Sequence, residues 1–321
     1  VLELKKVLSR KWRRKRVTLR ERLKEASITS LVVSVLVTAV LSVVNPEIQL
    51  GHFSASIDFT ATSVYIVGEV FGVITPWRSQ GGNPINTSVG IALGGVLLGS
   101  RSAQALDNYY LVDFNAAGSI DYNVFKALLL PSQSEWLGGV LNPMSIKLKL
   151  NITYISENKS ITNVEYTPSV IRSREDGCYE LQYTTSIRDY YLYANAVICY
   201  YYENATLRVV NNESGELVIS LDEYGVGTAR TTSIVVAPKT NYTTQLTGPL
   251  RLRVRGFNLN YGLYWIDVRG GVKTLSLIRN IHLVLIPAVS VVFAVYTVPA
   301  LIPILKRYLY AKTPRLVATR L

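Results

Sequence analysis

Histidine and cysteine, the side chains that most often carry chemistry near neutral pH, are scarce in this chain. It holds two of each in 321 residues: His52 and His282, Cys178 and Cys199. A Ser-His-Asp or Cys-His site needs a base beside its nucleophile. Both histidines instead border long apolar runs, where they could meet at a membrane surface and titrate together. The acids Glu175–Asp176 and Asp222–Glu223 are chain neighbours. Adjacent side chains on a strand point to opposite faces, so neither pair forms an acid/base dyad; solvated turns or a calcium loop suit them better. No H-E-x-x-H, G-x-S-x-G, phosphate-binding Gly-Lys-Ser/Thr loop, dinucleotide fingerprint or C-x-x-C occurs. Two Cys and two His this far apart lack zinc-ligand spacing. The sequence therefore predicts a non-enzymatic protein with no catalytic residues, no metal site and no cofactor.

The cysteines offer a structural bond instead. "CYELQYTTSIRDYYLYANAVIC" reads as a hairpin with its tip near Arg188–Asp189. That register sets Cys178 opposite Cys199. It also gathers Leu181, Tyr183, Leu192 and Ile198 on one face and Glu180, Gln182 and Asn195 on the other. The expected disulfide fits an oxidising compartment. Closing a loop of this size stabilises by about 3 kcal/mol in the chain-entropy model.

The charge map explains where such a compartment would lie. The chain is 49% hydrophobic with a formal net charge of +12. Residues 1–25 carry eleven Lys/Arg and three Glu, residues 306–321 five Lys/Arg and no acid, and the long middle is nearly neutral. Two runs without a fixed charge separate tails from middle, "ITSLVVSVLVTAVLSVV" (28–44) and "IHLVLIPAVSVVFAVYTVPALIPIL" (281–305). At 1.5 Å per residue they cover roughly 25 Å and 37 Å, against a hydrocarbon core of about 30 Å. Basic residues beside spanning helices stay on the cytoplasmic side. The expected order is a cytoplasmic basic amphipathic segment (1–27), a first transmembrane helix (28–45), an extracellular β-rich domain (46–280), a second transmembrane helix (281–305) and a short basic cytoplasmic tail (306–321). The first run is longer than a signal-peptide core and lacks an A-x-A-like site after it, so it reads as an uncleaved anchor.

Within the first segment, Lys11, Trp12, Arg13, Arg14, Lys15 and Arg16 sit among Leu4, Val7, Leu8, Leu19 and Leu23 at helical intervals. This pattern predicts a helix on an anionic inner leaflet, Trp at headgroup depth, rather than a nucleic-acid contact. In the spans, Ser30, Ser34, Thr38 and Ser42 recur every fourth residue, and Ser290 and Ala294 form a shorter row. Small and hydroxyl side chains let helices approach in lipid, so a homo- or hetero-oligomer held through the helices is expected.

From His52 onward, helical periodicity gives way to short β-branched and aromatic segments punctuated by Gly, Asn, Asp and Pro, the spacing of a β-sandwich. A subdivision near Asn142–Pro143 is expected. Six Asn-x-Ser/Thr sites fall in this portion, at Asn86, Asn151, Asn158, Asn204, Asn212 and Asn241. They predict N-linked glycans and agree independently with an outside location. "SVGIALGGVLLGS" (88–100) is apolar, Gly-rich and too short to span. High Val, Tyr and Arg with almost no Met or Cys has the flavour of a thermophile surface protein. Function is expected to be that of a two-pass surface glycoprotein with a binding or scaffold ectodomain, acting by itself or as an accessory subunit of a larger membrane or envelope assembly. The alternatives are an ion channel with two helices per subunit and a fusion protein using residues 88–100.

Overall fold

The computed structural model describes residues 19–76, 84–131, 135–154, 160–187 and 190–312. The basic residues Lys11–Arg16, the sequon Asn158 and the expected hairpin tip Arg188–Asp189 lie outside them.

The chain is mostly β-sheet, with two long apolar helices towards its ends. Helix α1 (Leu19–Val44) leads into β1 (Glu47–His52), β2 (Ala55–Thr60), β3 (Ser63–Pro76), β4 (Pro84–Leu93), β5 (Val96–Ser102), β6 (Gln104–Ala105) and β7 (Tyr110–Asp121). A short α2 (Tyr122–Lys126) precedes β8 (Leu129–Leu130), β9 (Val140–Leu141), β10 (Ile146–Tyr154), β11 (Ser160–Tyr166), β12 (Val170–Ser173), β13 (Tyr179–Ile187) and β14 (Tyr190–Glu203). Then come β15 (Ala205–Asn211), β16 (Glu216–Gly225), β17 (Thr228–Val236), β18 (Asn241–Leu246), β19 (Leu250–Asn260), β20 (Trp265–Arg269), β21 (Val272–Ser276) and α3 (His282–Lys312). Two units result, Phe53–Asn260 and the pair Val1–His52 with Tyr261–Leu321.

The Phe53–Asn260 unit is built around β3 and β14, which pair antiparallel along their whole length from Ser63↔Glu203 to Pro76↔Tyr190. Period-2 alternation explains why: Val64, Ile66, Val70 and Ile74 of β3 are buried, and their neighbours face out. β7 extends this sheet beyond β3, and β13 with β12 extends it beyond β14. A separate sheet in the order β11-β10-β4-β5 contributes Val89, Ile91, Leu93, Ile146, Leu148, Leu150 and Ile152 to the same core cluster. Strands on both sides of Asn142–Pro143 thus share one core, and β10 pairs with β4 across that point. The Gly-rich stretch 88–100 is the β4–β5 hairpin. Its Val89, Ile91 and Leu93 are core residues, while Val96 and Leu97 at the tip are exposed.

In the second unit, α1 and α3 pack against each other, with Thr29 Oγ1 donating to the Tyr296 hydroxyl at 3.3 Å. Both helices are long and apolar enough to cross a membrane by length and composition. They extend past the apolar runs into "LRERLKEAS" and "KRYLYAK", because Leu, Arg, Glu, Lys and Ala are good helix formers and keep the backbone bonded where the apolar pattern stops. Asn45, in the left-handed region at φ 41°, donates its N–H to the Leu41 carbonyl at 2.8 Å and ends α1 just ahead of Pro46. β1 then pairs antiparallel with β21, and β21 with β20.

Candidate functional site

The outer face of β12, β13 and β14 carries a concavity lined by convergent polar side chains. Register alone builds it. Val170 sits across from Gln182, and Gln182 across from Asn195. In the next row Arg172 faces Glu180, and Glu180 faces Val197. Tyr193 completes a groove of 340 Å³, within the range of ligand sites. Asn195 Nδ2 donates to the Tyr193 hydroxyl at 3.2 Å. Arg172 and Glu180, although register partners, form no ion pair with each other among the described residues. The rows continue onto β3 and β7 as Asn195–Phe71–Asp113 and Val197–Glu69–Asn115, and Phe71 is half exposed.

The opposite face of the same strands is a buried tyrosine layer. Tyr179 donates to the Leu141 carbonyl at 2.9 Å and Tyr183 to the Ile146 carbonyl at 3.2 Å. Tyr200 donates to the Gly139 carbonyl at 3.1 Å and accepts from Leu141 N–H at 3.2 Å and Arg251 Nη2 at 2.9 Å. One donor and two acceptor positions fill that hydroxyl. Arg251 is 2% exposed. Its guanidinium lies 4.2 Å from the Trp136 ring centre and 3.8 Å from that of Tyr200, and Nη1 donates to the Gly177 carbonyl. It is in no ion pair among the described residues, and its Nε has no hydrogen-bond partner there. The aromatic faces take the place a carboxylate usually fills. Gly177, at φ +78°, permits this approach: a Cβ there would sit 2.3 Å from Nη1.

Burial pushes the hydroxyls of Tyr179, Tyr183, Tyr200 and Tyr202 above their ordinary value of 10.0; for Tyr200 and Tyr202 the nearby Arg251 charge opposes the shift. In the unfolded chain these phenols ionise near their ordinary value, so above it the folded state holds more protons. Stability is then intact below about pH 10 and falls as pH rises further. An alkaline titration followed by phenolate absorbance should show exposed tyrosines ionising first, with this group ionising only on unfolding. A single smooth titration of all tyrosines would contradict the burial.

Cys178 and Cys199 form a disulfide, and the flanking register, Tyr179↔Ile198 onward, is the one the sequence predicts. Asn86, Asn151, Asn204, Asn212 and Asn241 are all exposed. Asn86 and Asn151 lie on the outward face of the four-stranded sheet, opposite Thr153 and Ser88 respectively. On α1, Ser30 is buried against α3 with its Oγ unpartnered among the described residues, and Ser34 is half buried. Thr38 and Ser42 are exposed and donate to the Ser34 and Thr38 carbonyls, each at 2.8 Å. Ser290 and Ala294 are exposed on α3. A four-residue repeat drifts around a helix of 3.6 residues per turn, so only part of such a row can follow one seam. Ala26, Ser30 and Leu41 are the buried residues of α1.

His52 lies on β1 and His282 opens α3. Asp176 caps its own turn, accepting from Cys178 N–H at 3.0 Å and pairing with Arg174 at 3.0 Å. Asp222 accepts from Thr231 at 2.9 Å, and Glu223 pairs with Arg230 at 2.7 Å. No group of three or more His, Cys, Asp or Glu that could hold a metal ion occurs among the described residues.

Sequence reasoning missed Arg251, and of Trp136, which it could read as dipping into a leaflet or packing, it did not find the partners Arg251 and Tyr224. "LRLRVR" alternates like a strand with its arginines turned to solvent, yet Leu250, Arg251 and Leu252 are all buried. The backbone bridge of Trp136 to Arg253 sets residues 135–137 alongside β19 and brings the Trp136 ring to the Arg251 guanidinium. An aromatic cluster followed at distance by an arginine-bearing strand is the only signal available.

No protein-family model matches the chain, and no curated protein matches it. Among solved structures, the human GIVD cytosolic phospholipase A2 in complex with a methyl gamma-linolenyl fluorophosphonate inhibitor and terbium chloride is similar over 70% of this chain and 33% of that one, with 9% identity and a TM-score of 0.25. The matched part is about a third of that protein's length, and a likeness this slight carries no argument.

Proposed function

We propose that the chain is a two-pass membrane protein with both termini in the cytoplasm, whose β-rich portion stands outside as a sandwich-like, N-glycosylated binding module. One observation carries the reading: the apolar side chains of α1 and α3 point away from protein. Val43 is 86% exposed, Leu31 68%, Ile286 63% and Val295 64%. Each would gain roughly 1.5–3 kcal/mol by leaving water, and a hydrocarbon solvent supplies that gain along both helices. Support for the orientation comes from the basic excess beyond each helix and from exposed sequon asparagines. Anionic inner-leaflet lipid is the proposed partner of Lys11–Arg16, and oligomerisation through the helices uses the faces that carry Thr38, Ser42, Ser290 and Ala294.

Protease added to sealed vesicles of known orientation should remove the central portion and spare both tails. Digestion of the tails with survival of the centre would refute this topology.

The groove is the proposed binding element. Amide, carboxylate and guanidinium side chains beside a tyrosine ring suit a neutral polyhydroxylated ligand, a saccharide, whose hydroxyls need both donors and acceptors and whose ring faces need an aromatic surface. Saturation transfer from the detergent-solubilised protein to maltose, cellobiose or chitobiose should be visible and should vanish in the Gln182→Ala/Asn195→Ala double variant. Because both side chains lie on the outer face, the variant's stability should stay within about 0.5 kcal/mol per site of the parent. Absence of transfer to all three sugars would remove this ligand class.

A further inference from the structure

Between β19 and β20 the chain makes a tight turn, with Tyr261 N–H donating to the Tyr264 carbonyl at 3.1 Å and the two rings stacked at 5.2 Å. The turn presents Leu263, which is 77% exposed. An isolated exposed leucine is ordinary; this one is held in an unusual place. Asn280, two residues ahead of α3, accepts from Trp265 N–H at 2.7 Å and donates to the Trp265 carbonyl at 2.7 Å. Arg279 lies 5.1 Å over the Trp265 ring and pairs with Asp267. Trp265 is thereby pinned beside the start of α3, and Leu263, two residues away, is within about 7 Å of it by chain length alone. On the neighbouring ribbon, β1 starts three residues after α1 ends and exposes Ile48 and Leu50.

We infer that Leu263, with Tyr261, Tyr264 and Trp265, is an interfacial anchor seated in the outer leaflet at the headgroup–acyl boundary. The inference rests on the spanning reading of α1 and α3. The occupant follows from proximity: Trp265 is bonded to Asn280 at the start of α3, whose first turns expose Leu283 and Ile286, so lipid that surrounds those turns lies beside this one. Tyr and Trp suit that depth because each offers an apolar body and a polar edge. Leu263 supplies the apolar tip that enters the acyl region.

The test uses the full-length protein in phosphatidylcholine vesicles. Cys178 and Cys199 being joined, a Leu263→Cys variant carries a single free thiol, which is labelled with an environment-sensitive fluorophore. A Val35→Cys variant, midway along α1, serves as reference and is read with a second lipid whose nitroxide sits deep in the acyl chain. The label at 263 should show blue-shifted emission, lose more than half its intensity to a lipid bearing a nitroxide near the headgroup, and resist aqueous iodide. Quenching by iodide at 263 while the Val35 label is quenched by lipid would place the turn in water and overturn the inference with the spans intact. Resistance to both quenchers would mean that protein, such as a second copy, covers the turn, and would overturn it equally. Loss of lipid quenching at Val35 would overturn the spanning reading itself.

Discussion

Replacement of Arg251 by alanine is expected to lower the unfolding free energy of the full-length protein by about 3 kcal/mol. Two charge-assisted hydrogen bonds, each contributing about 1.5–3 kcal/mol, disappear with the guanidinium. So do two ring contacts worth about 0.5–2 kcal/mol each. Relief from holding an unpaired cation away from water offsets part of that loss. What remains is a void between Trp136 and Tyr200 where a side chain of this length was packed. Arg251→Met separates the contributions. It retains much of the volume and carries no charge, and apolar replacement of buried ionic groups is often neutral. Denaturant unfolding in detergent should therefore find Arg251→Met much closer to the parent than Arg251→Ala. Equal losses would mean that the donor bonds, not the packing, dominate.

Removing the disulfide through Cys178→Ala/Cys199→Ala should cost a comparable amount, about 3 kcal/mol from chain entropy alone, for a separation of 21 residues. Geometry predicts that the two losses are not independent and that the combined variant loses less than their sum. Gly177 and Tyr200, which hold Arg251, are the immediate chain neighbours of the two half-cystines. The bridge keeps both partners in register, so the Arg251→Ala and double-cysteine changes should couple by roughly 1 kcal/mol in a double-mutant cycle. Strict additivity would show that the arginine is held without help from the bridge.

These two effects also mark where sequence reading reached and where it stopped. The Cys178–Cys199 hairpin was legible because alternation and a shared register are local properties: Leu181, Tyr183, Leu192 and Ile198 are buried together, and Glu180 and Asn195 face out. The two apolar helices were legible for the same reason, since composition over a long run suffices. Arg251 was not legible. Its burial depends on Trp136, more than a hundred residues earlier, pairing alongside β19 with its ring on the guanidinium, and nothing in "LRLRVR" distinguishes the first arginine from the next two. The groove was half legible: the hairpin register placed Glu180, Gln182 and Asn195 on one face, but not β12, which adds Arg172 and Val170. Residues 88–100 illustrate a different limit. An apolar Gly-rich stretch has the same composition whether it meets lipid or a core; the pairing of β4 with β10 shows that Val89, Ile91 and Leu93 meet a core, while Val96 and Leu97 at the tip stay exposed.

The junctions between the helices and their ribbon have a mechanical meaning. Two residues, Asn45 and Pro46, separate α1 from β1, and Leu277 N–H closes the gap from the other strand by donating to the Pro46 carbonyl at 3.2 Å. On the other side, Asn280 ties the start of α3 to β20 and also donates to the Ser276 carbonyl at 2.9 Å. Neither junction contains slack. A bilayer thinner than the apolar length makes helices tilt, and here a tilt has no flexible tether in which to dissipate. If α1 and α3 span a bilayer as proposed, the ribbon rotates with them, and this mount would convert membrane thickness into angle.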